Sequence, residues 1–236
     1  PYELKHITKS KGENYSWLAI VHADGNNMGA IIQEIAEELN QSTSSDNYIG
    51  RFRQFSQIID NVTKEAAAEA FNEIVGVAIE ENEKFPFRPV IIGGDDLTVI
   101  CRADLAIPFA KIFLEKFEEK SVQYLGSLKL KTLKNGITAC AGIAFIKESY
   151  PFHYGYHLAE VLCSHAKKEA KISTAKGELT PSCLMFHKVL DSFVESYNEI
   201  INRELTANDI RLDYGPYYLK KEPYYSIDWQ NSAIMH

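Results

Sequence analysis

The stretch Val90-Ile91-Ile92-Gly93-Gly94-Asp95-Asp96-Leu97-Thr98-Val99-Ile100 constrains the fold more than any other part of the chain. Two short apolar runs rich in β-branched residues flank a Gly-Gly-Asp-Asp turn. That pattern predicts two antiparallel strands of the core joined by a tight hairpin. Gly93 and Gly94 supply the backbone freedom the turn needs. Asp95 and Asp96 then stand together at the tip, where like charges repel and burial of either is costly. A polar hairpin turn accounts for the pair on this segment alone. So does a bound cation, which would relieve both the repulsion and the burial.

The pattern along the rest of the chain gives the hairpin a setting. A strand runs from Trp17 to His22 and leads through Asp24 into the turn Gly25-Asn26-Asn27. A helix follows, with Met28, Ile31, Ile32, Ile35 and Leu39 on one face. Residues 41–50 are polar and read as a loop. A longer helix carries Phe52, Phe55, Ile59, Val62 and Ala66 at three-four spacing. After the hairpin, Asp104 is a candidate cap for a helix that turns Ile107, Ala110, Phe113, Leu114 and Phe117 inward. Lys134-Asn135-Gly136 is a turn. The strand 137–146 is apolar on both faces and so central in a sheet. A helix from about His153 to Lys171, a strand 182–187 and a helix bearing Phe193, Val194, Tyr197, Ile200 and Ile201 complete the order. Strands and helices alternating around one hairpin predict an α+β sandwich of ferredoxin-like type. Residues 1–190 form that domain, and residues 191–236 add a C-terminal helix and an aromatic tail packed on it or extending it. In such a sheet Asp24 ends beside the hairpin tip, so three carboxylates from two strands converge.

Composition narrows the partners. The 236 residues are 45% hydrophobic and 24% charged, with a net charge of −7. That balance suits a soluble globular protein and argues against a grip on long duplex nucleic acid, which calls for basic surface. A small nucleotide held through a metal ion stays compatible, because the cation brings the positive charge. No apolar run is long enough for a membrane span, and no leader is visible. Cys101, Cys140, Cys163 and Cys183 form no Cys-x-x-Cys pair and read as buried free thiols of a reducing cytoplasm. The seven histidines make neither His-Glu-x-x-His nor a His-Asp pair, which speaks against a zinc site or an HD-type nuclease.

Four segments carry a family resemblance: 22–29 (HADGNNMG), 91–100 (IIGGDDLTVI), 137–152 (ITACAGIAFIKESYPF) and 158–171 (LAEVLCSHAKKEAK). In this order and spacing, across about residues 16–190, the chain resembles the palm of GGDEF-type nucleotidyl cyclases. Most closely it resembles the GGDD-bearing palm in the large polymerase-like subunit of type III CRISPR effector complexes. The resemblance implies a Mg²⁺- or Mn²⁺-dependent enzyme that joins ATP into 3′–5′ linked cyclic oligoadenylate messengers of anti-phage defence. It implies Asp24, Asp95 and Asp96 as metal ligands. Gly25, Asn26, Asn27, Gly93 and Gly94 would lie around the nucleotide, and Lys167 and Lys171 on its phosphates. As a charge run on a helix, the lysine segment reads equally as a solvated face, and Asn26 and Asn27 as shaping the turn. The resemblance further implies a homodimer or a partner palm, and possible CRISPR-type effector subunits as partners. A further palm, a zinc-binding element and often an HD nuclease, which the large subunit also carries, have no counterpart in these residues, so the chain reads either as an excised palm domain or as a stand-alone minimal relative of that polymerase-like subunit. A degenerate palm serving as a nucleotide-binding scaffold, and a diguanylate or mononucleotide cyclase, are the alternatives.

Overall fold

The computed structural model describes residues 3–8, 15–40, 45–78, 85–128, 133–175, 177–190, 196–208 and 210–219. Its organising element is strand β1 (Trp17–Gly25), flanked on both sides by antiparallel neighbours. On one side lies the hairpin of β2 (Phe87–Gly93) and β3 (Asp96–Arg102); on the other lies β4 (Ala139–Lys147). The order β2-β3-β1-β4, all antiparallel, is the ferredoxin-like arrangement. Strand β5 (Cys183–Lys188) then adds parallel to β4, and β8 (Tyr217–Tyr218) pairs antiparallel with β5, giving a mixed six-stranded sheet. A second, two-stranded ribbon joins β6 (Thr206–Ala207) to β7 (Ile210–Arg211).

Alternation along the strands divides the core in two. Ala19, Val21 and Ala23 of β1, with Leu97 and Val99 of β3, face α2 (Met28–Asn40), α3 (Ser45–Ala78) and α4 (Ala106–Leu125). Leu18 and Ile20, with Cys140, Ala144 and Ile146 of β4, face α5 (Phe152–Ile172), α6 (Tyr197–Glu204) and the short α1 (Lys5–Thr8). Small residues let α5 settle close on the sheet. A Cβ added at Gly142 of β4 would fall 2.0 Å from the Ala159 carbonyl oxygen.

The predicted helix faces are buried where the spacing points inward. Ile31, Ile35, Phe55, Ile59, Val62, Ala66, Ala110, Phe113, Leu114 and Phe117 are core residues, as are Tyr197, Ile200 and Ile201. Ile32 and Phe52 instead sit at the solvent margin of their helices, and Ile107 is half-buried. The side chain of Leu39, and Phe193 and Val194, lie outside the described residues.

Four further expectations are corrected. Of the expected loop 41–50, residues 45–50 are the first turns of α3, since Ser and Asp favour helix starts as much as loops. Asp104 does not cap α4: that helix starts after Leu105 with no side-chain cap, and Asp104 pairs with Arg102 Nε at 2.8 Å within a 3₁₀ turn. The expected strand 137–146 begins two residues later, because Ile137 and Thr138 belong to the approach to β4. β2 is an edge strand rather than a core one, leaving Val90 46% and Ile91 40% exposed.

Candidate metal and nucleotide site

The hairpin tip is a two-residue turn. Gly93 pairs with Asp96 in register, leaving Gly94 and Asp95 as the central residues. Gly94 takes φ +60°, the conformation a hairpin of this kind requires at its first central position. Helix α3 holds the tip from the side. The Thr63 hydroxyl donates to the Gly94 carbonyl at 2.6 Å, and the Gly94 N–H donates to Asp60 Oδ1 at 3.2 Å.

The same alternation that built the core sets the carboxylates. Ile20, His22 and Asp24 share the α5 face of β1 with Thr98 and Asp96 of β3, and His22 lies opposite Thr98 in register. Asp95 reaches in from the turn. One carboxylate oxygen from each of Asp24, Asp95 and Asp96 lies within 4.8 Å of the other two, a grouping able to hold a metal ion. Gly25 makes this convergence possible. A Cβ there would lie 3.0 Å from Asp95 Cβ and 3.2 Å from its Oδ2, pushing the tip away from Asp24.

Burial and charge crowding together disfavour ionisation of the tip carboxyls. Burial first, then the hydrogen bond with Asp24 and its charge, push the Asp95 carboxyl up to about 6. Burial and then the Asp24 charge also raise Asp96. A site of this kind takes up a proton or a cation to relieve itself. Lys167 of α5 already answers part of the charge: its ammonium pairs with Asp24 Oδ2 and donates to the Gly25 carbonyl at 2.8 Å.

Asn26 is 4% exposed and engages through both ends of its amide. Its Nδ2 donates to Thr138 Oγ1 at 2.9 Å, and its Oδ1 accepts from the Cys140 thiol at 3.4 Å. It therefore shapes the turn. Asn27, exposed and at φ +60°, donates to Thr180 Oγ1 at 3.2 Å. The turn, the first turn of α2, Lys167, Lys168, Lys171 and Thr180 enclose a cleft of about 580 Å³ beside the carboxylates. Gly93 and Gly94 serve the hairpin without lining the cleft. A separate cleft of about 420 Å³, lined by residues including His165, His187 and Tyr197, holds neither the carboxylates nor the lysines.

Several members of the site escaped the sequence. His22 shares a 3.0 Å hydrogen bond with Thr98, and burial holds its imidazole below the ordinary value against the charges of Asp96 and Asp24. Tyr156, pushed up to about 12 chiefly by its hydrogen bond to Glu160, lies one helical turn from that carboxylate on α5. Asp60, Thr63, Thr138 and Thr180 support the two turns across 31 to 153 residues of sequence. His22 sits inside a recognisable motif; the others carry no local signal.

With this geometry in hand, a family model for the second palm domain of Cas10/Cmr2 matches residues 17–179. No curated protein matches the chain. Among solved structures, the Csm1-Csm4 cassette in complex with pppApA is 15% identical, with a TM-score of 0.46, over 70% of this chain and 21% of that one. The cassette in complex with one ATP gives the same values. The Csm1-Csm4 subcomplex of the type III-A CRISPR-Csm interference complex is 18% identical, with a TM-score of 0.43, over 65% and 19%. The chain thus spans about a fifth of the length of the chains it resembles.

Proposed function

The chain belongs to the family of Cas10/Cmr2 second palm domains, and from that premise we propose that it is a nucleotidyltransferase that joins ATP into 3′–5′ linked cyclic oligoadenylates. The observation that carries this reading is the meeting of Asp24, Asp95 and Asp96 within 4.8 Å, beside a lysine-lined cleft. The donor set fits Mg²⁺ or Mn²⁺: hard, crowded carboxylate oxygens whose resting charge is unfavourable without a cation. When bound, the metal would supply activation of the ribose 3′-hydroxyl and neutralisation of the charge on the leaving pyrophosphate.

The residues of the chain contribute positioning and charge. Lys167 and Lys171 attract the triphosphate into the cleft. Gly25 admits Asp95 to the ligand set, and Asn26 keeps the turn rigid beneath the phosphates. Reaction needs a donor phosphate and an acceptor hydroxyl about 3–3.5 Å apart, and one hairpin tip presents one nucleotide. The acceptor therefore comes from a second palm, in a homodimer or in a partner subunit of a CRISPR-type effector. The exposed Val90 and Ile91, next to the tip, support such a contact. Residues 1–190 are read as the catalytic palm and 191–236 as its C-terminal addition. We read the chain as a cytoplasmic enzyme; no described helix is long and apolar enough to cross a membrane.

The test is incubation with each nucleoside triphosphate and Mg²⁺ or Mn²⁺, with products identified by mass. ATP alone should yield cyclic oligoadenylates, and the double change Asp95→Ala with Asp96→Ala should abolish them while the fold persists. Near-unaltered turnover in that variant would refute the assignment. A guanosine product would move the chain to the diguanylate cyclase class.

A further inference from the structure

Behind the site turn, three thiols meet where β4, β5 and α5 pack. Cys140 and Cys183 are register partners on parallel strands. Their Cα atoms are thus about 4.8 Å apart, inside the ~4.4–6.8 Å that a disulfide spans. The two buried sulfurs lie 3.4 Å apart. Bonding them requires an approach of about 1.4 Å, to the ~2.05 Å of a disulfide. The Cys140 thiol is also the donor to Asn26 Oδ1, so the pair sits one residue behind the floor of the cleft. Cys163 approaches from α5 and donates to the Cys140 carbonyl at 3.2 Å, whereas Cys101 belongs to the core on the other side of the sheet.

We propose that Cys140 and Cys183 form a reversible disulfide when the protein meets hydrogen peroxide, and that this bond takes the thiol donor from Asn26 Oδ1 and loosens the turn of the nucleotide cleft. Burial behind Asn26 restricts the oxidant to one of peroxide size. The Cys140 sulfur attacks a peroxide oxygen, the O–O bond breaks, and Cys140 becomes a sulfenic acid as one water leaves. The Cys183 sulfur then attacks the Cys140 sulfur, the S–O bond breaks, and a second water leaves. Two thiols have lost two electrons and two hydrogens, and one peroxide has become two waters. The Cys140 sulfur reaches Asn26 Oδ1 beneath the cleft, whereas the Cys183 sulfur faces the Ala166 carbonyl of α5. Cys140 therefore stands nearer the side from which peroxide enters and is the first nucleophile. Once its sulfur is bonded to Cys183 it has no proton to give Asn26, whose buried amide oxygen loses a donor.

The meaning for nucleotide binding rests on the function proposed above; the thiol chemistry and its effect on the turn do not. The full chain, without nucleotide, is exposed to graded peroxide, alkylated and mapped by mass spectrometry, then examined by hydrogen exchange. We expect a Cys140–Cys183 cross-link that dithiothreitol reverses. Exchange over residues 24–30 should quicken about tenfold with the link, the size expected when a buried amide loses a hydrogen bond. Cys183→Ala should abolish both responses, and the mapping on the unaltered chain stands whether or not that variant folds. Peroxide that leaves both thiols free, or oxidises them without cross-linking, overturns the proposal. So does a cross-link that leaves exchange over 24–30 unchanged.

Discussion

Replacing Gly142 with alanine tests how the sheet and α5 together create the site. Gly142 lies on β4 opposite His22, beneath the helix that carries Lys167. The new Cβ would stand 2.0 Å from the Ala159 carbonyl oxygen, 2.4 Å from the Cys163 nitrogen and 2.9 Å from Leu162 Cβ. Two of these are helix backbone, so no side-chain rotation relieves the clash. Since a Cβ essentially never comes within 3.0 Å of such an atom, α5 must withdraw by about 1 Å. Withdrawal strips close packing from Leu158, Ala159, Leu162, Cys163 and Ala166, which fill the core on that face. A loss of about 3 kcal/mol or more is expected, at the upper end of overpacking costs. In a chain of this size that lowers the melting temperature by about 6–12 °C. The same movement draws Lys167 away from Asp24. Misplacement of this order costs up to about 100-fold, but a flexible lysine recovers part, so nucleotide affinity should fall about tenfold. Urea unfolding followed by circular dichroism gives the first quantity and calorimetric titration with ATP the second. Gly76→Ala in α3, where a Cβ meets nothing within 4 Å, is the control; it should stabilise by up to about 1 kcal/mol. If Gly142→Ala costs less than about 1 kcal/mol, α5 does not pack as closely as this reasoning requires.

Asp95→Asn should stabilise the metal-free protein. The folded Asp95 carboxyl titrates at about 6 against an ordinary 3.8, so the wild type is favoured while that group is protonated and loses stability as pH rises between those values. In chelator at pH 7.5 the variant should gain about 1–2 kcal/mol, after allowance for solvent screening of a half-exposed group. The gain should vanish near pH 4; a gain that persists there would point to some other cause. Lys167→Ala should raise the KM for ATP by about tenfold with little change in unfolding midpoint, because a partly exposed ion pair adds about 1 kcal/mol or less; unchanged nucleotide kinetics would return Lys167 to a purely structural pair with Asp24. If the active site is shared between two palms, activity falls faster than linearly on dilution. Strictly linear activity in the range where light scattering finds only monomer would exclude a shared site.

The hairpin was legible from eleven residues, because β-branched flanks and a glycine able to take positive φ are local preferences. The helical faces were legible for the same reason, except at margins such as Ile32 and Phe52, where spacing cannot tell the edge of a buried stripe from its centre. That Asp24 and Asp96 share a face followed from the expected strand order, since alternation then dictates which side chains point the same way; Asp95 joins them from the turn. Tertiary structure decided the rest. Gly25 matters for the room it leaves Asp95, and Asn26 for its buried bonds to Thr138 and the Cys140 thiol. Asp60 and Thr63 hold the tip, and Lys167 settles between Asp24 and the Gly25 carbonyl. Each of these contacts joins groups tens of residues or more apart, across a sheet face or from helix to turn. Propensity and periodicity act within about a helical turn or a strand pair, so contacts of that range exist only once the layers have packed.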